Sequence, residues 1–427
     1  RRSTLSLVIK LTKCVKLDYC RSFSFFLLSK YLYISVNIKN LASRKCETII
    51  NNMYKVYLLS INLLCLSITL SPSQSNPFVE YPDKTSKYLK RIQNGKAKYK
   101  YNTNNNFKQW QAEARKELSK IIGLDKISKE LQGFKPSVIK IKEATIDDKY
   151  IRTLYHIETE PGIKVPFYRL VPKNRLLIDK LPLLLSPHGH DLNGFHSYAG
   201  AYINKAHRDK IIGRKGNIAE QAVLKGMIAI APATRGLAKE TLVPDPKGRH
   251  GNRPCRAQLM HCLISGRTPT AERVWDMQKL LDWALEDTRI DQEKIIMTGN
   301  SGGGVLTAYT SALDERIKIS LPSCSFTSIT STNGYIFHCD CCAIPSIKEW
   351  GDFSELGGLI APRRLLIVHG IKDGLHNKID VERTSNAIKA IYSDLKGNDR
   401  MSMTWGNSGH QFYPKIMWPF IEKALRQ

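Results

Sequence analysis

The pattern of apolar residues predicts short buried strands that alternate with helices. Six apolar runs, each five or six residues long, lie at 181–186, 227–231, 294–298, 317–321, 364–368 and 401–405. Runs of this kind indicate strands that are buried on both faces. Residues 270–287 carry the clearest helical pattern between them, with one apolar face made of Val274, Met277, Leu281, Ala284 and Leu285. The chain is therefore predicted to be an α/β protein with a mostly parallel central sheet flanked by helices.

The part of the chain before these strands has a different pattern. Residues 77–127, within the segment 74–145, are polar and rich in lysine and asparagine. They become helical around 107–118, where Trp110, Ala114 and Leu118 recur at helical spacing. We expect an N-terminal helical extension that lies across the core. Two strand-like runs, 150–158 and 165–171, flank a turn at 160–162 and predict a hairpin. The α/β domain is placed at 146–427.

The first methionine, Met53, begins a stretch with the layout of a secretory signal. A basic residue, an apolar stretch as far as Leu70 and small residues after it predict a signal peptide at 53–73; the alternative is an N-terminal anchor. Residues 1–52 hold ten lysines or arginines against two acids and show no helical or strand period. They are interpreted as spurious upstream translation or as a disordered segment. The mature protein is expected to be secreted or periplasmic, without a stable membrane span.

Composition excludes several classes of protein and partner. A hydrophobic content of 42%, ordinary glycine and proline levels and the lack of a long-period repeat exclude disordered, collagen-like and solenoid chains. The net charge of +27 favours anionic polymers by long-range attraction. The lysines are nevertheless spread along the chain without interleaved aromatic residues, so no specific nucleic acid partner is expected.

The sequence Gly-Asn-Ser-Gly-Gly at 299–303 carries the strongest chemical signal. It directly follows the apolar run 295–298 and directly precedes a helical stretch that begins at Val305. A nucleophile on a sharp strand-to-helix turn needs small neighbours on either side, and the glycines supply them. The alternative is an ordinary glycine-rich turn. Ser301 is the predicted nucleophile.

A serine hydroxyl needs an imidazole to accept its proton and a carboxylate to orient that imidazole. In strand-turn-helix hydrolases the order along the chain is serine, acid, histidine. Asp373 and His410 each follow an apolar strand and lie at the same predicted sheet edge as Ser301. The competing acids Asp340, Asp352 and Asp380 do not directly follow a strand. Of the competing histidines, His369 lies at the end of a strand, and His376 is too close in sequence to Asp373 to be its partner.

The tetrahedral intermediate of acyl transfer requires backbone N–H donors for its oxyanion. Gly302 is expected to supply one of these N–H groups at the start of a helix. His190, which lies in the loop after the first long parallel strand, is expected to supply the other. Substrate contacts are expected from His188, Asn300 and Cys339.

Two groups of residues could also be metal ligands. His188 and His190 lack third and fourth partners at a recognisable spacing. The segment 337–343 crowds its thiols without the two-residue spacer that lets two thiolates share an ion, so a disulfide or packing in a cavity wall is favoured. In an exported protein one or two disulfides are possible. No metal is therefore expected, and hydrolysis by a serine, histidine and acid needs no organic cofactor.

These motifs resemble those of the acetyl xylan esterase-like α/β-hydrolases, relatives of the dienelactone hydrolase group. The resemblance spans residues 110–421 and is carried by 266–269, 273–276, 299–304, 312–317, 360–363 and 409–411. It implies an α/β-hydrolase catalytic domain and an acylated carbohydrate or other ester as substrate, with Ser301, Asp373 and His410 in the triad positions.

Two other functions remain open. A serine peptidase of the prolyl oligopeptidase type shares the triad order, but the residues before the α/β domain are too few to form its propeller. A non-catalytic binding protein on a hydrolase scaffold typically lacks a triad member, whereas all three candidates are present here.

Overall fold

A computed structural model describes residues 87–427 except 89, 92–93, 105, 174–179, 252 and 332–335. The predictions for residues 1–52, for a signal peptide at 53–73 and for residues 74–86 of the extension lie outside the described part of the chain. Among the described helices, none has both the length and the apolar composition needed to cross a membrane.

A nine-stranded sheet forms the centre of the described chain, in the order β1-β2-β3-β5-β4-β6-β7-β8-β9. Its strands are β1 (Ser137–Ile146), β2 (Tyr150–Glu160), β3 (Ile163–Pro172), β4 (Leu181–Leu185), β5 (Ile228–Pro232), β6 (Ile290–Asn300), β7 (Ile319–Ser323), β8 (Arg364–Gly370) and β9 (Met401–Gly406). The pairs β1–β2, β2–β3 and β3–β5 are antiparallel, and all pairs among β4 to β9 are parallel. The predicted mostly parallel α/β sheet is confirmed, and so is the hairpin.

Helices cover both faces of the sheet. They are α1 (Phe107–Ile122), α2 (Leu124–Glu130), α3 (Gly194–Tyr198), α4 (Lys205–Gly213), α5 (Ile218–Leu224), α6 (Cys255–Ser265), α7 (Pro269–Ala284), α8 (Gly302–Leu313), α9 (Ile347–Trp350), α10 (Phe353–Ile360), α11 (Lys378–Asp394) and α12 (Pro414–Leu425). Helices α1, α7, α8 and α10 share one hydrophobic cluster, whereas α5 and α12 share another. In β6, Ile295 and Met297 belong to the first cluster and Ile296 to the second. Side chains alternate between the two faces of a strand, which explains the uninterrupted apolar run.

The extension differs in part from the sequence-based expectation. Helix α1 forms where the pattern predicted it and buries Trp110, Ala114 and Leu118. Strand β1, however, begins at Ser137, inside the segment 74–145 where helix was expected, so the sheet begins before residue 146. Its apolar residues Ile139 and Ile141 are exposed, at 53% and 49%. This edge strand pairs with β2 and is largely exposed, so its apolar residues alternate with lysines and do not form a continuous buried run.

The carboxyl ends of β4, β6, β8 and β9 meet at one edge of the sheet, as parallel pairing requires. The loops that follow these strands carry the candidate site residues: His188 and His190 after β4, Ser301 after β6, Asp373 after β8 and His410 after β9. In open α/β sheets, ligands bind at this edge.

Candidate active site

Ser301 lies on a sharp turn between β6 and α8. Its backbone angles are φ 59° and ψ −125°, a combination that a residue with a side chain adopts only when its surroundings enforce it. The Ser301 N–H donates to the Ser323 carbonyl oxygen at 2.9 Å. A Cβ at Gly303 would lie 2.1 Å from the carbonyl oxygen of Pro187, and one at Gly299 would lie 2.4 Å from the same atom. Close backbone packing therefore requires both glycines.

His410 and Asp373 are joined by a hydrogen bond. The distance from His410 Nδ1 to Asp373 Oδ2 is 2.8 Å, and the Leu375 N–H donates to Asp373 Oδ1 at 3.0 Å. Burial by itself favours the neutral carboxyl, but these hydrogen bonds lower the pKa of Asp373 to about 2. The carboxylate is thus ionised at neutral pH and favours a proton on His410 Nδ1. His410 Nε2 is buried and makes no hydrogen bond to a described residue.

A cavity of about 760 Å³ opens at this edge of the sheet. Its lining includes five of the predicted site residues: Ser301, His410, His190, Cys339 and Gly302. Apolar side chains supply much of the remaining lining: Leu192, Leu237, Leu242, Val305, Ile336, Phe337 and Leu375. A cavity with an apolar wall and a few convergent polar groups suits a small organic substrate.

The two predicted oxyanion donors come from loops that touch each other. A Cβ placed on Gly189 would lie 3.0 Å from the Gly302 nitrogen, so the loop after β4 passes directly over the start of α8. A Cβ placed on Gly302 would lie 3.3 Å from His190 Nδ1. The imidazole of His190 therefore stands beside the nitrogen that was expected to bind the oxyanion.

His188 lies behind this loop and not in the cavity. It is fully buried, its Nε2 accepts from the Thr234 N–H at 3.0 Å, and its Nδ1 is 2.7 Å from the Gly189 carbonyl oxygen. Because Nε2 is an acceptor, Nδ1 carries the hydrogen and donates to Gly189. Burial lowers the pKa of His188 to about 4. Both nitrogens are occupied by backbone groups, so the predicted substrate contact is replaced by a role in holding the loop of His190.

Asn300 is also occupied by protein partners. Its side-chain oxygen accepts from the Ser323 hydroxyl at 3.0 Å, and its N–H donates to the Tyr198 hydroxyl at 3.3 Å. These contacts fix the residue before Ser301 to β7 and α3. Of the three predicted substrate contacts, only Cys339 lines the cavity in the described structure. His188 and Asn300 instead support the loops around it.

Two residues that the sequence interpretation did not select also line the cavity. Cys324 follows β7 with φ 48°, and burial raises the pKa of its thiol to about 12. His376 Nδ1 is 4.0 Å from Asp373 Oδ2, and burial holds the pKa of His376 well below its usual range. His410, at 2.8 Å, is therefore the closer partner of Asp373. A search for polar residues directly after each strand would have found Cys324.

Four side chains that could hold a metal ion converge beside the cavity. The candidate ligand atoms of His190, Cys255, Cys339 and Cys341 all lie within 4.8 Å of one another. The missing partners of His190 come from segments distant in sequence, which a search for regular spacing could not find. No described cysteine is in a disulfide.

The sheet order and the turn at Ser301 define the α/β-hydrolase fold. No protein-family model matches the chain. YtaP of Bacillus subtilis (strain 168), assigned as a hydrolase, is 26% identical over 156 residues, which are 35% of this chain and 50% of YtaP. The chain thus spans about half the length of this curated relative.

Two solved structures share the fold over most of their length. A Bacteroides fragilis NCTC 9343 protein, BF1801, assigned as an acetyl xylan esterase, has a TM-score of 0.60 and 16% identity, with 82% of this chain and 86% of that chain covered. A CE15 glucuronoyl esterase from Teredinibacter turnerae T7901 has a TM-score of 0.57 and 15% identity, with 83% and 94% covered. The fold implied by the motif resemblance is confirmed.

Proposed function

We propose that this protein is a carboxylic-ester hydrolase that forms an acyl-enzyme on Ser301. The observation that carries the proposal is the strained turn that holds Ser301 at the same cavity as His410, whose other ring nitrogen is 2.8 Å from Asp373. A serine on a strained strand-to-helix turn and an imidazole oriented by a carboxylate are the arrangement by which hydrolases of this fold form an acyl-enzyme.

In the proposed reaction, His410 Nε2 accepts the Ser301 proton while the serine oxygen attacks the ester carbonyl. Asp373 keeps the hydrogen of His410 on Nδ1, which leaves the Nε2 lone pair free to act as the base. The N–H groups of Gly302 and His190 bind the oxyanion of the tetrahedral intermediate. His410 then protonates the leaving alcohol, and a water molecule activated by the same histidine releases the acid. No cofactor takes part in these steps.

We propose an acylated carbohydrate, such as acetylated xylan, as the substrate class. The name of BF1801 supports an acetyl ester, and the name of the Teredinibacter turnerae protein supports an ester of a sugar acid. Export through a signal peptide at 53–73 belongs to the same proposal because polysaccharides lie outside the cell.

The test compares the purified protein with its Ser301→Ala variant on three substrates: acetylated xylan, nitrophenyl acetate and a glucuronoyl ester. Acetate release from xylan and nitrophenol release, both abolished by the substitution, would support a carbohydrate acetyl esterase. Cleavage of the glucuronoyl ester without acetate release would show that the sugar supplies the acyl group of the ester and not the alcohol. Activity on nitrophenyl acetate alone would keep the ester hydrolase and discard the carbohydrate.

Inactivity of the folded protein on all three substrates would overturn the proposal. Cleavage of proline-containing peptides would then favour the peptidase, and binding of polysaccharide without turnover would favour the non-catalytic binding protein.

A further inference from the structure

A cluster of one imidazole and three thiols lies in the wall of the cavity. Its members come from three separate parts of the chain: His190 from the loop after β4, Cys255 from the first residue of α6, and Cys339 and Cys341 from the segment that follows β7. Cys255 and Cys341 are buried, and Cys339 is half-buried. The four side chains turn inward toward one another, although helix, loop and turn approach from different directions.

The distances within the cluster match a tetrahedral metal site. Cys255 Sγ lies 3.7 Å from Cys339 Sγ and 3.7 Å from His190 Nε2, and Cys341 Sγ lies 3.4 Å from His190 Nε2. With metal–sulfur bonds of about 2.3 Å and a metal–nitrogen bond of about 2.0 Å, ligands at the corners of a tetrahedron are about 3.5–3.8 Å apart. The sulfur atoms are well beyond the disulfide length of about 2.05 Å.

We propose that His190, Cys255, Cys339 and Cys341 bind one Zn²⁺ ion. Three thiolates and one imidazole are ligands that zinc prefers, and they fill all four positions of a tetrahedron. A site without an open position has a structural role. A bound zinc ion would also keep these thiols from forming disulfides in an exported protein.

Two arginines supply positive charge beside the sulfur atoms. Arg273 Nη1 lies 3.5 Å from Cys341 Sγ, and Arg253 Nη1 lies 3.7 Å from Cys339 Sγ. Three thiolates on a Zn²⁺ ion leave a net charge of −1, which these guanidinium groups offset by donating N–H groups to sulfur.

Arg273 is itself a second sign of an anionic partner at this place. It is buried, at 4% exposure, and it donates to the Arg235 carbonyl oxygen and to the side-chain oxygen of Gln258. Among the described residues, no carboxylate oxygen lies within 4 Å of its guanidinium group. A buried charge without a counter-charge is costly, and a zinc-bound Cys341 thiolate supplies one.

The zinc ion would connect the loop of His190 to α6 and to the segment that follows β7. A metal on Nε2 leaves the ring hydrogen of His190 on Nδ1, the atom that faces Gly302. This consequence rests on the proposed function: zinc would hold the oxyanion loop in place and leave the chemistry to Ser301 and His410. Loss of the ion would then lower kcat more than it changes KM.

The first test measures zinc in the purified full-length protein by elemental mass spectrometry. We expect about one zinc per chain in the wild type, in Ser301→Ala and in Cys262→Ala, and much less in Cys255→Ser and Cys341→Ser. Cys262 is the matched control because it is also a buried cysteine of α6 but is outside the cluster.

The second test keeps the proposal falsifiable if the cysteine variants do not fold. The wild-type protein is refolded with Co²⁺, and its cysteines are alkylated before and after chelation. Intense visible absorption typical of tetrahedral cobalt–thiolate coordination, with Cys255, Cys339 and Cys341 protected until the chelator is added, would support the site.

Three outcomes would overturn the proposal: no bound metal in the wild type, metal retained by both cluster variants, or a disulfide between two of these cysteines in freshly purified protein. Zinc without esterase activity would reject the proposed function and keep the metal site. Full esterase activity after removal of bound zinc would reject its role in holding the oxyanion loop and keep the esterase.

Discussion

His410 Nδ1 lies 2.8 Å from Asp373 Oδ2 although 37 positions of the sequence separate the two residues. The contact arises because β8 and β9 are adjacent parallel strands, so the loops at their carboxyl ends meet. The hydrogen bond fixes the orientation of the imidazole and directs Nε2 away from Asp373.

Replacing Asp373 by asparagine should lower kcat on nitrophenyl acetate by about 10³–10⁴-fold. The amide lacks the charge that stabilises an imidazolium, and it no longer favours the tautomer with hydrogen on Nδ1. Steady-state kinetics at saturating substrate measure the effect. Asp291→Asn is the control, since that residue pairs with Lys294 near the start of β6. Wild-type kcat in Asp373→Asn would exclude Asp373 as the orienting acid.

Gly303→Ala should destabilise the protein by about 1–3 kcal/mol or more and abolish ester hydrolysis. The new Cβ would lie 2.1 Å from the backbone oxygen of Pro187, which cannot move without displacing the loop of His190. Chemical unfolding measures the free energy. The control is Gly213→Ala at the end of α4, where a Cβ meets nothing within 4 Å and stability should stay the same or rise. Equal stability of the two variants would contradict the prediction.

The protein should lose stability as the pH falls from about 6.5 to about 4. Burial lowers the pKa values of His188 and His369 to about 4, whereas unfolded histidine titrates near 6.5. In this window the unfolded chain binds protons that the folded chain does not, so each residue contributes a slope of up to about 1.4 kcal/mol per pH unit. Urea unfolding at a series of pH values measures the slope.

The variant His369→Gln isolates one of these contributions. Glutamine retains a donor for the Phe326 carbonyl oxygen, which lies 3.0 Å from His369 Nε2, but it does not titrate. The slope between pH 4 and 6.5 should decrease by about one proton, and above pH 7 the variant and the wild type should have the same slope. An unchanged slope at acidic pH would show that His369 is not held neutral.

Arg235→Met should lower the free energy of unfolding by about 3–5 kcal/mol. Arg235 is buried and donates from Nε to Asp276 at 2.9 Å, and it also forms ion pairs with Glu160 and Asp276 through its terminal nitrogens. Its removal leaves the buried carboxylate of Asp276 without a counter-charge, whereas Glu160 keeps its ion pair with Arg267 at 2.7 Å. The control is Lys205→Met, whose exposed pair with Asp209 contributes at most about 1 kcal/mol. A loss no larger than the control would contradict the prediction.

Much of the fold could be read from the chain because the relevant signals are local. Strands β4, β5, β7 and β8 and the second half of β6 are buried on both faces, so their apolar runs are visible in the sequence. Helices α1 and α7 show their buried faces at helical spacing. Strand β1 was not predicted from the sequence, because its side chains are largely exposed and its stability comes from pairing with β2.

The residues of the candidate site also divide into those with a local sequence signal and those without one. Ser301 was evident because the glycines that its turn requires are adjacent in sequence, and Asp373 and His410 were found from their places after strands; their catalytic roles stay predictions. His188 was assigned to substrate because nothing local shows that Thr234 and Gly189 occupy both of its nitrogens.

The sequence by itself determined the alternation of strands and helices, the turn at Ser301 and the order of the candidate triad, since each depends on neighbouring residues. Only the tertiary structure decided that His190, Cys255, Cys339 and Cys341 converge and that Arg273 lies beside them. These contacts join segments up to 151 positions apart in the sequence. The residues come close in space because α6 and the loop after β7 pack against the sheet edge, and no spacing along the chain reveals that packing.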